Sequence, residues 1–203
     1  MNTIRSVCVY CGSSPGHDTA YIEAGRTLGR ALAHSSLRLV YGGGTKGIMG
    51  AVSEGAMRAG GKVIGVIPRF LMNKEATETG LDRLDQVVIT DNMHQRKQRM
   101  FEESDAFVAL PGGIGTVEEI VEMMTWAQLG HHRKPMVFAN IGGFWDPMLA
   151  LLDHMRDEGF IHTAHQVRPL VVNEVEAIVP AILSAASATG TPAEGVPSII
   201  EKM

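Results

Sequence analysis

Hydrophobic positions along this chain fall into short, continuously apolar runs separated by longer stretches with helical spacing. The runs at 5–10, 37–41, 62–67, 86–90, 106–110, 135–140 and 169–172 predict strands. The stretches at 19–33, 48–59, 93–103, 117–129, 147–158 and 174–186 predict helices. Strands apolar on both faces, alternating with helices, indicate a parallel sheet covered on both sides. The expected fold is therefore α/β: a doubly wound, Rossmann-like parallel sheet of about seven strands with helices on both faces. Asp146-Pro147 reads as a helix start, and Pro180 should kink or interrupt the last helix. No internal repeat or second domain is visible. One nucleotide-binding domain is expected over 1–186, with a loose tail over 187–203.

Composition narrows the partners. The 203 residues are 45% hydrophobic and 20% charged, ample for one sizeable core. The net charge of −4 supplies no broad basic field for nucleic acid. No apolar run approaches the roughly 18 residues of a spanning helix, and Val7 to Tyr10 is too short for a signal-peptide core. A cytoplasmic protein without membrane partners is expected. Cys8 and Cys11 form a C-x-x-C, but Cys8 lies inside a strand run, whereas a redox pair belongs where a strand has ended. The pair is also only half of a four-cysteine zinc site, so the structural reading is preferred. His131-His132 and His162-x-x-His165 lack supporting ligands, and no metal is expected.

The 23 glycines cluster at predicted strand ends, where open α/β sheets bind ligands. Three turns stand out. The first contains Cys11, Gly12, Ser13, Ser14, Pro15 and Gly16; the second contains Gly42, Gly43, Gly44, Thr45, Lys46 and Gly47. The third contains Pro111, Gly112, Gly113, Ile114, Gly115 and Thr116. Glycine lets backbone N–H groups approach a ligand, and the following helix N-terminus favours phosphate. Gly42, Gly44 and Gly47 match G-x-G-x-x-G, but the next strand run ends at Pro68-Arg69 without the ribose-binding acid of dinucleotide sites. Thr116 to Glu119 reads as a capping box, although a carboxylate beside an anion pocket also suits acid–base or cation-stabilising work.

The predicted helix at 93–103 carries the strongest anomaly. Met93, Arg96, Lys97, Met100 and Phe101 share one face, while Gln95, Gln98, Arg99 and Glu102 already supply a solvent face. Two cations on an apolar stripe either snorkel to the rim or meet an anionic ligand.

Together these segments resemble the Lonely Guy (LOG) family, the cytokinin riboside 5′-monophosphate phosphoribohydrolases. The signature P-G-G-x-G-T-x-x-E is matched from Pro111 to Glu119, and M-H-x-R-K by Met93, His94, Arg96 and Lys97. The likeness runs from about residue 5 to about residue 175 through several ordered motifs. It implies hydrolysis of the N-glycosidic bond of adenine-type nucleoside 5′-monophosphates, giving free base and ribose 5-phosphate. It implies Arg96 and Glu119 as the catalytic pair. Substrate contacts are expected from Gly12, Ser13, Gly43, Gly44, Thr45, Glu75, Met93, Lys97, the turn from Pro111 to Thr116, Glu118 and Thr125. No cofactor is implied, and a homodimer is. Family members have also been labelled lysine decarboxylases, but no cofactor-binding lysine with supporting groups is identifiable here. The rival from another class is a non-catalytic nucleotide or cofactor carrier of similar fold.

Overall fold

The computed structural model describes residues 3–161 and 169–188. Its strands are β1 (Ser6–Tyr10), β2 (Arg38–Tyr41), β3 (Val63–Pro68), β4 (Gln86–Thr90), β5 (Ala106–Ala109), β6 (Met136–Ala139) and β7 (Leu170–Val172). All seven predicted strands form, in one sheet of order β4-β3-β2-β1-β5-β6-β7. Every neighbouring pair is parallel. The order reverses between β1 and β5, so the crevice beyond their carboxyl ends is the switch point where such sheets take ligands.

The helices are α1 (Thr19–His34), α2 (Gly47–Arg58), α3 (Met72–Glu75), α4 (Glu78–Leu81), α5 (Met93–Glu102), α6 (Ile114–Gln128), α7 (Asp146–Asp157) and α8 (Ile178–Ala188). Strand side chains alternate between two cores, as the pleat requires. Val7 and Val9 of β1 pack with Leu28 of α1, Val52 of α2 and Ile182 of α8. Cys8 and Tyr10 face the other way, toward Met100 of α5, Ile120 and Met123 of α6, and Trp145. The central strands are therefore buried on both faces, which is why their sequences read as unbroken apolar runs.

Local boundaries differ in three instructive places. Thr116 is not a helix cap: α6 begins two residues earlier at Ile114, with Gly113 as its N-cap and no side-chain capping bond. The expected capping box does not form, because the glycine turn continues directly into the helix. Pro180 does not kink α8 but lies in its first turn, where its missing N–H has no helical partner to lose. A short 3-10 turn at Val175–Ala177 precedes it. At α7 the N-cap is Trp145, and Asp146 is the first helical residue. Of the predicted tail, Ser187 and Ala188 continue α8, and 189–203 lie outside the described residues.

Cys8 and Cys11 are free, buried thiols. Burial, with the neighbouring Glu119 charge, pushes both far above the usual thiol range, so neither presents a ready nucleophile. His132 is a core histidine rather than a metal ligand: its Nε2 lies 2.9 Å from Met123 O, and its Nδ1 accepts from the Lys134 N–H at 3.1 Å. The His162 and His165 pair lies outside the described residues.

Candidate active site

Three strand ends and four helices, α2, α3, α5 and α6, enclose a cavity of about 280 Å³. Of the residues expected at the site, Gly12, Ser13, Glu75, Arg96, Gly113, Ile114, Gly115, Thr116 and Glu119 line it. Val9, Tyr10, Cys11, Gly42 and Met49 complete the wall. Pro111 and Gly112 line an adjoining apolar cavity of about 290 Å³ that shares Gly12, Ser13 and Gly113 with the first. Gly113 caps α6, so the N–H groups of Ile114, Gly115 and Thr116 have no partner within the helix and face the turn. The partial positive charge of a 15-residue helix is concentrated there, which makes an anion site. The N-terminus of α2 is less available, because the Ile48 and Met49 N–H groups donate to Gly12 O at 3.1 and 3.2 Å.

Arg96 is the centre of the arrangement. The mixed face of α5 turns inward as its spacing predicts, but Arg96 does not snorkel: it is 6% exposed. Its Nε donates to Val66 O and its Nη2 to Gly42 O, both at 3.2 Å, while Nη1 lies 3.9 Å from Met93 Sδ. Two main-chain carbonyls at the ends of β2 and β3 thus fix the guanidinium plane. Nη1 faces Glu119 Oε1 at 3.8 Å. Glu119, 8% exposed, projects from the second turn of α6.

Burial pushes the Glu119 carboxyl up to about 7; the Arg96 charge opposes this, and Glu118 and Glu75 add to it. Desolvation wins because the carboxyl is nearly sealed while Arg96 stands beyond direct hydrogen-bond range. A carboxyl near 7 can both give and take a proton at neutral pH. Glu75 reaches the same cavity from α3, and its Oε2 is buried with no hydrogen-bond partner. That atom is a buried acceptor without a hydrogen-bond partner among the described residues.

Other expected residues stand apart. Lys97 is paired with Glu118 Oε1 at 2.5 Å and Glu122 Oε1 at 3.2 Å, outside the cavity wall. Thr125 is exposed, its hydroxyl donating to Val121 O at 2.9 Å within its own helix. Gly43 and Gly44 shape the second turn, and Thr45 lines a separate cavity. The pattern of residue types did not reveal that Met49 and Cys11 form cavity wall, or that Gly42 and Val66 hold Arg96 by their carbonyls. Backbone carbonyls leave no residue-type signal; only the glycine at 42 hinted at a close approach.

That hint is testable. A Cβ at Gly42 would collide with the Arg96 Nη2. Gly42→Ala is expected to keep the fold and displace the guanidinium. The expected loss in kcat/KM is on the order of 10²-fold, as for a comparable misplacement of a reacting group. Circular dichroism and steady-state kinetics on the same preparation check this, and full activity would show that the Arg96 position is not critical.

A switch-point cavity with a free helix N-terminus beside a buried, opposed Arg–Glu pair, its carboxyl raised to about 7, defines a Rossmann-like protein with a polar crevice at the centre of its sheet. Sequence comparison specifies it further. Residues 49–182 match the family model described as "Possible lysine decarboxylase". The chain is 45% identical to the cytokinin riboside 5′-monophosphate phosphoribohydrolase of Rhodococcoides fascians, over 90% of this chain and 91% of that protein. It is 45% identical to the rice (Oryza sativa subsp. japonica) cytokinin riboside 5′-monophosphate phosphoribohydrolase LOG, over 83% of this chain and 68% of that protein. The chain belongs to the LOG family. The molybdenum cofactor carrier protein of Chlamydomonas reinhardtii is 22% identical, with a TM-score of 0.67 covering 91% of this chain and 99% of that one, and shares the fold.

Proposed function

We propose that this protein hydrolyses the N-glycosidic bond of adenine-type nucleoside 5′-monophosphates, cytokinin riboside 5′-monophosphates among them. The observation that carries this reading is the buried Glu119 carboxyl, raised to about 7, beside Arg96 in a cavity floored by a free helix N-terminus. A protein that only held phosphate would gain nothing from a carboxyl there, since its charge opposes the anion. The names of its relatives support the same chemistry.

In this reading the 5′-phosphate rests on the N–H groups of Ile114, Gly115 and Thr116. The Glu75 carboxylate at the cavity wall accepts from a ribose hydroxyl. Leaving of the base builds oxocarbenium-like charge at C1′, as in glycosidases. The Glu119 carboxylate stabilises that charge and takes the proton of the attacking water. The water oxygen bonds to C1′, the C1′–N bond breaks, and the proton taken by Glu119 passes to the departing base, which returns the carboxylate. Arg96 keeps Glu119 ionised enough to act and holds it in place. No step calls on a metal or organic cofactor.

The reading also includes two copies acting as a dimer in the cytoplasm. Light scattering on the purified protein tests the dimer. No helix among the described residues is long and apolar enough to cross a membrane.

The decisive experiment compares AMP, isopentenyladenosine monophosphate and adenosine. Both monophosphates should release free base and ribose 5-phosphate. Adenosine should be cleaved at least about 10²-fold less efficiently, because it forfeits several charge-assisted hydrogen bonds of about 1.5–3 kcal/mol each. Equal kcat/KM for AMP and adenosine would remove the phosphate from the site. Tight nucleotide binding with no product would make the protein a carrier.

A further inference from the structure

Glu75 reaches the catalytic cavity from a segment that belongs to neither main core. Between β3 and β4 the chain passes through α3 and α4, of four residues each, too short to hold their shape unaided. Ala76 and Leu81 pack on Ile67 in a small cluster of their own, with Leu71, Met72, Leu84 and Val87 around it. Such a cluster keeps the segment compact, but apolar contact is non-directional. It does not by itself hold a carboxylate to within the roughly 0.5 Å that a working site requires.

Directional contacts supply that precision, and they come from Thr45 in the second glycine turn. Its N–H donates to Glu75 O at 2.9 Å. Its Oγ1 accepts from the Thr77 N–H at 3.1 Å. Among the described residues, these two hydrogen bonds are what tie the 69–84 segment to the rest of the protein; its other hydrogen bonds close within the segment. The Thr45 methyl also lies against Gly80, where a Cβ would come within 2.4 Å of Thr45 Cγ2. The turn that carries Thr45 is itself pinned, since the Ile48 and Met49 N–H groups donate to Gly12 O. Thr45 stands outside the wall of the catalytic cavity, whereas Glu75 is part of it.

We propose that Thr45 is a positioning residue for recognition of the ribose: its hydroxyl oxygen anchors the chain just after Glu75 and so sets the carboxylate against one ribose hydroxyl, without touching the substrate. This rests on the reading of Glu75 as a ribose contact in the hydrolase. It gives the protein a means of preferring ribonucleotides over deoxyribonucleotides. A site that hydrogen-bonds a substrate hydroxyl rejects an analogue lacking it, and does so only while its acceptor is held in place.

The test compares wild type, Thr45→Val, Thr45→Ser and Glu75→Ala on AMP, 2′-deoxy-AMP and 3′-deoxy-AMP. Valine keeps the shape, the methyl and the backbone N–H of Thr45 but cannot accept the Thr77 N–H. On AMP, Thr45→Val is expected to lose about 10-fold in kcat/KM, the order of one displaced hydrogen bond to a charged group. Thr45→Ser, which keeps the oxygen, should stay close to the wild type. The loss should vanish on the deoxy analogue that lacks the hydroxyl Glu75 receives and persist on the other, and Glu75→Ala should show the same selectivity. No loss on AMP, or an equal loss on all three substrates, overturns the proposal, because a general loosening of the turn does not depend on one hydroxyl. Selectivity in Glu75→Ala without selectivity in Thr45→Val leaves the ribose contact standing and removes the role of Thr45; selectivity in neither removes both. Should the wild type release no base, the hydrolase reading fails, and the same pattern is then expected in calorimetric Kd values for the three nucleotides. Gly80→Ala pushes the segment off Thr45 from the other side, and it should reproduce the hydroxyl-selective loss even if Thr45→Val folds poorly.

Discussion

Glu119→Gln is expected to abolish base release while leaving the protein folded and able to bind nucleotide. The substitution keeps the size and hydrogen-bonding capacity of a side chain that is 8% exposed, so the cavity wall is preserved. What it removes is the negative charge and the basic site. The expected fall in kcat is about 10²–10⁴-fold, the usual contribution of an acid–base group. In the wild type, activity should rise with pH through about 7 as the carboxyl ionises, and in the variant the residual rate should be flat there. Stability gives an independent check. The carboxyl is raised from 4.5 to about 7 by folding, so the folded state keeps a proton that the unfolded chain releases. Stability therefore falls as pH rises through that window, by an amount on the order of a few kcal/mol. Glu119→Gln escapes this cost. It should melt above the wild type at pH 8, with the difference shrinking toward pH 4.5. A variant that melts early and turns over normally would make Glu119 a structural residue.

Arg96→Met separates charge from packing. A methionine would complete the apolar stripe of Met93, Met100 and Phe101 on α5. It would leave the carbonyls of Gly42 and Val66 without their donor, at a cost of about 1–3 kcal/mol each. Removing a buried guanidinium offsets part of that cost, so the fold should persist. Catalysis should not. Arg96 is the main group holding the Glu119 carboxyl down, so without it the carboxyl stays protonated further into the alkaline range. The expected loss at pH 7 is on the order of 10²–10³-fold, as when an aimed donor is removed from a reaction centre. Part of the activity should return at higher pH, where Glu119 ionises, and a simple packing defect would not produce that recovery. A well-folded Arg96→Met protein with a normal rate and pH profile would return Arg96 to a structural role.

Much of this was legible from the order of residues alone. Seven strands were readable because strands buried on both faces must be apolar at every position, and that leaves short unbroken runs. The glycine turns were readable because close backbone approach demands a residue without a side chain, as Gly42 beside Arg96 shows. Arg96 itself stood out because a cation on an apolar helical face needs a reason, and the ordered motifs around it are those of the LOG family. Helix ends were less legible. Thr116 to Glu119 satisfies the capping pattern, but caps depend on where the preceding chain enters, and the turn runs into α6 at Ile114 instead.

Tertiary structure decided the rest, because it depends on distances that no local pattern encodes. Lys97 and Arg96 are neighbours in sequence, yet a step of about 100° around the helix axis sends one to Glu118 and Glu122 and the other into the cavity. The pKa of Glu119 comes from burial by segments far apart in the chain, and so does the orphaned oxygen of Glu75. The sequence by itself determined which elements form and which residue types reach the strand ends, since both follow from local periodicity and side-chain chemistry. Which of those residues face one another, and how deeply each charge is withdrawn from water, was settled only by packing, because desolvation and Coulomb terms act through space rather than along the chain.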